Sequence, residues 1–423
     1  MNSSVKVDHL ADEITNTKKT KFLAGFFKNG LKAKLKHLKF GFITVTDKNE
    51  KYSFGDKNSN FKGSLNVHSE EFYTLIGSGG AMGLAEAYML GYWSSEDPLK
   101  LMRIVVKNRD VLLSLNKGIS KLFNPLNKII HWTKGNTIRG SKKNIVAHYD
   151  LSNDFYKLWL DPSMTYSCAF FEDKNTSLED ASIEKIDRIC RKLNLSENDS
   201  VLEIGTGWGS FAIHAAKKYG CTVTTTTISD NQYEYAKSRI KDEGLDNKIK
   251  LINQDYRELN GSYDKIVSIE MIEAIGHQYI DMFFSKLSSL LKPNGMVGLQ
   301  GITYNDHNFD TFKDSVDFIK KYIFPGSCLI SIAQIINVIK SKTDLAMIDM
   351  EDITRHYPKT LKKWRENFMS AVPQVKDMGY SQSFINMWEY YFLYCEAGFL
   401  ERNIGDFQLV FAKSGARDIK VEY

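Results

Sequence analysis

The sequence predicts an α/β protein: a Rossmann-like, doubly wound parallel sheet preceded by a smaller α+β domain. Three observations predict it. From residue 178 onward, short apolar runs alternate with amphipathic runs of helical length, the order expected of a parallel sheet covered by helices. The stretch VLEIGTGWG at 201–209 leads from an apolar strand into a helix through glycines spaced G-x-G-x-G. Without a Cβ, such a turn lets backbone approach a ligand closely. Finally, 423 residues suit two domains, and charge divides unequally along them. Residues 1–147 carry 24 Lys+Arg against 12 Asp+Glu, net +12, and the remainder carries −7.

In chain order, residues 1–16 are polar. Residues 17–40 repeat Phe22, Leu23, Phe26, Phe27, Leu31, Leu35 and Leu38 at roughly helical spacing among lysines that include Lys28, Lys32 and Lys36. A basic amphipathic helix of this kind suits a membrane interface or the surface of its own domain. Gly30 is a point at which it could divide in two. Alternation in FITVTD, KYSFG and SLNVH (41–67) predicts strands. The glycine- and aromatic-rich 72–95 reads as partly helical, 98–132 as one or two helices, and the basic, glycine-containing 133–144 as a linker. This places a basic lipid- or membrane-docking domain at 1–140 and the larger α/β domain at 145–423. In the second domain the expected order is helix from 178, strand VLEIG, helix 210–220, strand 222–228, helix 231–244, strand 249–254, strand 263–270, helix 279–295 and strand 296–303. Residues 304–395 read as a helical, aromatic-rich cap inserted over the sheet, and GDFQLVFAKSG (405–415) as a final edge strand.

Composition bounds the setting. No run approaches the ~20 uncharged apolar residues that span a bilayer, and MNSSVKVDHLADEI has no apolar signal-peptide core. Cys168, Cys190, Cys221, Cys328 and Cys395 fall in no C-x-x-C pair, which predicts reduced thiols, a cytoplasmic setting and no metal site. The basic first third points to an anionic partner, nucleic acid or anionic lipid. No acidic-proline-aromatic motif for flipped bases follows IVSIE, which argues against nucleic acid. The expected place is therefore the inner face of the membrane, bound peripherally, and a homodimer stays open. The glycine turn is not the G-x-G-x-x-G of pyrophosphate binders. With Glu203 two residues before its first glycine, it suits S-adenosylmethionine (SAM), which has no phosphate for a helix N-terminus, better than a dinucleotide.

Several segments match one family. HYDLSNDFYKLWLDPSMTYSCAFFED (148–173), VLEIGTGWGSFAIHAA, TTTISDNQYEYA (225–236), IVSIEMIEAIG (266–276), DFIKKYIFPGSCLIS (317–331) and YYFLYCEAGFLERNIGDFQLVFAK (390–413) resemble the cyclopropane-fatty-acyl-phospholipid synthases and their relatives that methylate unsaturated acyl chains. GLAEAYMLGYW, within 63–109, resembles the N-terminal domain of longer members. The resemblance implies a SAM-dependent methyltransferase fold for the second domain. It implies that Gly205, Thr206 and Gly207 line the methionine moiety of SAM, Thr227, Ile228 and Gln232 meet the ribose, and Asp255, Tyr256 and Arg257 flank the adenine. Tyr166 and Ser167 are expected to close over the cofactor, and Ile269 counts among its binding positions.

An alkene that attacks the sulfonium methyl of SAM leaves a carbocation in the acyl chain. Such a site needs a dry tunnel, groups that tolerate positive charge, and a base. The resemblance implies bicarbonate as that base. Its expected holders are Cys168, Glu273, the Ile302 backbone and Tyr357, with Gln300 where the synthases use histidine. Ala274 stands in place of another histidine. Glutamine donates a hydrogen bond but carries no charge, which puts ring closure in question and lets a hydride shift to a branched product compete. His148 and His356 are candidates to compensate. Cys168 reads more simply as a buried filler and Tyr357 as a packed aromatic. Phe170, Phe171, Tyr304, Tyr322, Phe324, Trp364, Tyr390 and Tyr391 are candidates to line the acyl tunnel. The reading is transfer of a one-carbon unit from SAM to the double bond of an unsaturated phospholipid acyl chain, giving a cyclopropane. C-methylation to a methyl or methylene branch is the alternative. Small-molecule N-methylation and non-catalytic SAM or lipid binding stand behind both.

Overall fold

The structure, a computed structural model, describes residues 20–48, 50–109 and 151–417. The polar start, the linker at 133–144, the domain boundary at 140–145 and His148 lie outside the described residues. By its contacts the chain divides into two compact units. The first holds the described residues up to 109 with Ser315–Pro325 and Trp364–Arg402; the second holds 151–314, Gly326–Lys363 and 403–417. Two pieces of the helical stretch 304–395 therefore group with the N-terminal elements.

In the first unit, strands β1 (Phe42–Asp47), β2 (Glu50–Gly55), β3 (Lys62–Val67) and β4 (Trp93–Ser94) form a sheet of order β2-β1-β3-β4. The basic helix Thr20–Leu35 runs unbroken through Gly30, so the expected division does not occur. Ala24, Leu31 and Leu35 are buried. The Phe27 ring occupies the space beside Gly77, where a Cβ would lie 2.0 Å from it. Lys28 pairs with Asp47 at 2.6 Å and Glu50 at 2.9 Å. Much of the apolar stripe thus faces its own unit, while Leu23, Phe26 and Phe40 remain exposed. Helices Glu71–Gly79 and Ala81–Met89 meet at Gly83, where a Cβ would lie 1.9 Å from the Leu75 carbonyl oxygen. Helix Gln382–Leu400 is tied in by Tyr88, whose hydroxyl donates to Glu389 at 2.8 Å. Just past that helix, Glu401 pairs with Arg103 at 2.5 Å and Lys107 at 2.9 Å.

The second unit is built on β5 (Ser200–Ile204), β6 (Thr222–Thr227), β7 (Ile249–Asn253), β8 (Tyr263–Ile269), β9 (Leu291–Tyr304), β10 (Leu345–Asp352) and β11 (Ile404–Lys413), in the order β10-β11-β9-β8-β5-β6-β7. The strands from β9 to β7 pair in parallel, as expected of a Rossmann-like sheet. Two expectations are corrected. The strand at 404–413 is not an edge: β11 lies between β9 and β10, antiparallel to both. The edge is β10, inside the stretch read as helical. Its LAMIDMED is largely solvated, so it lacks the apolar alternation that announces a strand, whereas β11 is buried over most of its length. Helices cover both faces. Leu202, Ile204, Val297 and Leu299 pack with helices Ile280–Leu290 and Ile332–Lys342. Val201, Val223, Val267 and Met296 pack with helices Leu178–Lys192 and Ser210–Tyr219. Gly298 lets the former of this second pair close on β9, since a Cβ there would meet Ile189 at 2.9 Å. No helix among the described residues is long and apolar enough to cross a membrane.

The contact at Gly83 leaves no room for even one methyl. Gly83→Ala is expected to lower unfolding stability by about 2 kcal/mol or more in urea titrations. Gly25→Ala, on an exposed helical turn with nothing within 4 Å of its Cβ position, should raise it by ~0.5–1 kcal/mol. Equal effects would show that the two helices do not depend on that close approach.

Candidate active site

Strand β5 delivers the chain into the glycine turn. Gly205, Gly207 and Gly209 all take positive φ, at 103°, 54° and 93°, a region costly to residues with a Cβ. The Gly205 and Thr206 N–H groups donate to the Thr226 carbonyl at 3.0 Å, which fixes the turn on β6. A Cβ at Gly207 would meet nothing within 4 Å. Below the turn, Thr206 and Thr225 share a 2.6 Å hydroxyl contact, and Thr225 donates to Glu203 at 2.6 Å. Burial pushes the Glu203 carboxyl up to about 8.

The other expected SAM positions stand at the carboxyl ends of the neighbouring strands, where open sheets bind ligands. Thr227 donates to Gln232 Oε1 at 3.0 Å, and the amide nitrogen of Gln232 has no partner among the described residues. Ile228 is half-buried. The Tyr256 ring is buried against Phe283 and its hydroxyl has no partner among the described residues. Asp255 and Arg257 are joined to each other, at 2.7 Å through Nε and 2.6 Å through Nη2. Tyr166 packs beside Tyr156 and Trp159. Ser167 is buried and accepts from Lys185 Nζ at 2.6 Å. Ile269 closes β8. An open Cβ position at Gly207, with the Gln232 amide nitrogen and the Tyr256 hydroxyl both unpartnered among the described residues, fits a ligand that carries a nucleoside.

Beyond β8 the chain turns at Glu270, whose φ of 47° is unusual for a residue with a side chain. Its carboxylate accepts from the Cys168 backbone N–H at 2.7 Å, from Gln300 Nε2 at 2.9 Å and from the Tyr357 hydroxyl. Glu273 accepts from the Ile302 backbone N–H, and its Oε2 has no partner among the described residues. Gly301 permits this approach, since a Cβ there would lie 2.9 Å from Ile272. Gln300, fully buried, gives its second N–H to Asp406 on β11 at 2.9 Å. Gln408 Nε2 donates to Gln300 Oε1 at 3.2 Å, so the Gln300 amide has one consistent orientation. Burial and the Glu270 charge push Glu273 up to about 8. Burial, with the Glu270 and Glu273 charges, holds Asp406 well above the usual carboxylate range. Burial lowers the Lys185 ammonium and raises the Cys168 thiol.

The structure therefore brings Cys168, Gln300 and Tyr357 together on Glu270, and joins Ile302 to Glu273. It corrects three expectations. Gln300 does not offer a donor to a separate anion, because both its N–H groups serve carboxylates. Ile302, Tyr357 and the Cys168 N–H are likewise occupied by protein carboxylates; as arranged, this set does not fit a separate bicarbonate ion. His356 does not replace the missing histidine. Its Nδ1 accepts from the Phe171 N–H at 3.2 Å, which leaves the ring proton on Nε2, beside Arg355, and burial lowers its pKa to about 4. The tunnel aromatics fall in different units: Tyr322, Phe324, Trp364, Tyr390 and Tyr391 belong to the first, Phe170, Phe171 and Tyr304 to the second. Sequence reasoning gave no role to Glu270, Lys185, Asp406 or Gln408. For Glu270 a signal existed, a charge directly after the apolar run IVSI. The other three carry none: pairing of β11 with β9 brings Asp406 and Gln408 beside Gln300, and Lys185 comes from helix Leu178–Lys192.

The family model of the mycolic acid cyclopropane synthetases matches residues 137–409. The chain belongs to this family. A tuberculostearic acid methyltransferase of Mycobacterium tuberculosis is 35% identical over 364 residues, covering 83% of this chain and 84% of that protein. A cyclopropane-fatty-acyl-phospholipid synthase of Escherichia coli is 34% identical over 373 residues, covering 86% and 91%. A crystal structure of a mycolic acid cyclopropane synthase complexed with SAH and CTAB aligns with a TM-score of 0.60 at 30% identity, covering 64% of this chain and 98% of that one. This cyclopropane synthetase relative is a SAM-dependent methyltransferase.

The Glu203 carboxyl of this methyltransferase gives a pH test. Its folded pKa of about 8 lies above the ordinary 4.5, so the native state holds a proton that the unfolded chain has released. Stability should fall as pH rises between those values. Glu203→Gln keeps an acceptor for Thr225 and removes that proton. Urea unfolding at pH 5, 6.5 and 8 should show a shallower fall for the variant and a gain over the natural protein at pH 8. Parallel curves would mean that Glu203 titrates normally.

Proposed function

We propose that this enzyme transfers a one-carbon unit from SAM to the double bond of an unsaturated acyl chain carried by a phospholipid. The supporting observation is the Glu270–Glu273 pair, two buried carboxyl groups just past the carboxyl end of β8, next in the sheet to the strand that bears the glycine turn. Acid–base work falls to these side chains. SAM supplies an electrophilic methyl group. The glycine turn, Gln232 and Tyr256 hold it, and the apolar Ile272 and Cys168 help keep water out. Negative charge at the carboxylates favours a carbocation in the chain over the neutral alkene.

Loss of a proton from the added methyl closes a cyclopropane. A hydride shift before proton loss gives a methylene branch or a methyl-bearing alkene; a saturated methyl branch needs a further two-electron reductant. One observation favours the branch: with Gln300 committed to Glu270 and Asp406, the base is fixed on the protein and cannot follow the added methyl. Labelled SAM and monounsaturated phospholipid vesicles, followed by mass spectrometry and NMR of the acyl chains, test the reading and separate ring from branch. Glu273→Gln should lower total product about 100-fold or more. Label appearing only in free fatty acid, or in no acyl chain, would refute the phospholipid reading.

The first unit is proposed to bring the enzyme to the inner face of an anionic membrane as a peripheral protein. Lys28 and Lys32 are tied to Asp47 and Glu50, so the contact falls to exposed Leu23, Phe26 and Phe40 with Lys36 and Lys39. A lysine at an anionic surface contributes about 1 kcal/mol. Phe26→Ser combined with Lys36→Glu and Lys39→Glu should weaken vesicle sedimentation about tenfold or more, and natural binding should fall with salt. Equal, salt-independent binding to neutral and anionic vesicles would exclude this role.

A further inference from the structure

The proposed chemistry gives acid–base work to the Glu270–Glu273 pair, and Glu270 is the member whose placement sets it apart. Its backbone sits at φ 47°, a conformation that glycine adopts freely and that is costly to a residue with a side chain. Against that cost, the side chain gains hydrogen bonds from three separate segments: the Cys168 N–H, the Gln300 amide on β9 and the Tyr357 hydroxyl opening helix Tyr357–Ser370. All three donors are neutral, and the Gln300 amide is locked by Gln408. A carboxylate offers about four acceptor positions, so three donors leave one open. Gln300, Asp406 and Cys168 are sealed from solvent, whereas Glu270 as a residue keeps some exposed surface while its carboxylate lies deep enough for burial to raise its pKa. The neighbouring Glu273 is held up at about 8 by burial and by Glu270, and of the two carboxyl groups Glu270 is the one that three donors hold in place.

We propose that the Glu270 carboxylate is the resident base of this enzyme, and that it fills the place in which a small diffusible oxyanion would otherwise be held. The inference rests on the proposed alkylation of an acyl double bond. In the step, a C–H bond of the alkylated chain breaks. Its electron pair stays on carbon and forms the last C–C bond of a ring or the C=C bond of a branch. The proton goes to the open acceptor position of Glu270, giving the carboxylic acid, and no oxidant or reductant takes part. Cys168, Gln300 and Tyr357 act as positioning residues that hold the carboxylate still.

The test uses the full chain, Glu270→Gln and Glu270→Gly. The glutamine keeps acceptor and donor groups in place without a base, and the glycine removes the side chain while relieving the backbone, so at least one folded variant is expected by circular dichroism. The first readout is binding of 13C-labelled bicarbonate by NMR line broadening. The natural protein should bind it at least tenfold more weakly than Glu270→Gly. The second is acyl product formation in CO2-free buffer with and without added bicarbonate. The natural enzyme should be unaffected, Glu270→Gln should lose about 100-fold or more, and Glu270→Gly should lose as much and recover at least tenfold with bicarbonate. Bicarbonate stimulation and saturable binding in the natural protein, or full activity in Glu270→Gln, overturns the proposal. If the natural enzyme alkylates no acyl chain in any buffer, the functional reading fails instead, and the binding comparison still decides whether Glu270 occupies the anion site.

Discussion

Glu270, Glu273 and Asp406 lie in one electrostatic neighbourhood with a single buried lysine, Lys185, to offset them. Two unit charges ~5 Å apart repel by about 3 kcal/mol at an effective dielectric of 20, so the three carboxyls cannot all ionise together. The surrounding structure reads as the means of holding them there regardless. β8, β9 and β11 are adjacent, and this adjacency brings Gln300 between two acids. Gln408 and the Lys185 carbonyl fix the chain of amides, since Gln408 Nε2 donates to both Gln300 and Lys185 O. Neutral donors from outside the sheet complete the enclosure, so acidity is adjusted by solvation and proton sharing rather than by salt bridges.

That enclosure depends on the segment Cys168–Phe171, which carries one of the donors. It is pinned to the residues around helix Tyr357–Ser370. The Ala169 N–H donates to Thr360 at 3.1 Å, and the Phe171 N–H donates to His356 at 3.2 Å. His356 thus serves as a neutral acceptor in the frame, and the Phe170 ring lies 4.1 Å from its own. The same helix supplies Tyr357. One local arrangement therefore positions both the backbone donor and the hydroxyl donor to Glu270.

Much of this was legible in the sequence, and the remainder failed for identifiable reasons. The parallel strands and the glycine turn were readable because their signals are local: a period, a spacing, a missing Cβ. Glu273 and Ile302 were readable through motif resemblance. Gln300 was singled out correctly as a departure but given the wrong partner, because its role is set by Asp406, 106 residues away. Asp406 in turn was hidden by the reading of 405–415 as an edge, where an acid is unremarkable. In an interior strand the same acid demands a partner. The basic helix shows the opposite failure. Its pattern was read correctly as amphipathic, but amphipathicity does not say which apolar residues the protein keeps for itself, and here Leu31 and Leu35 are buried while Phe26 is not.

The discontinuous make-up of the first unit bears on how such a gene can change. The family's shared core begins at residue 137, as though everything before it were an optional prefix. Yet residues near the far end of the chain have become dependent on that prefix. Glu389 is bonded by Tyr88, Asn386 donates to the Met89 carbonyl, and Glu401, with only 7% of its side chain exposed, is neutralised by Arg103 and Lys107. Deleting that prefix would leave the largely buried Glu401 without Arg103 and Lys107, about three hundred residues downstream. The prefix is therefore entrenched: it can be lost in a lineage only together with compensating substitutions in the last helix, and those positions would bear the record of whether an ancestor possessed it.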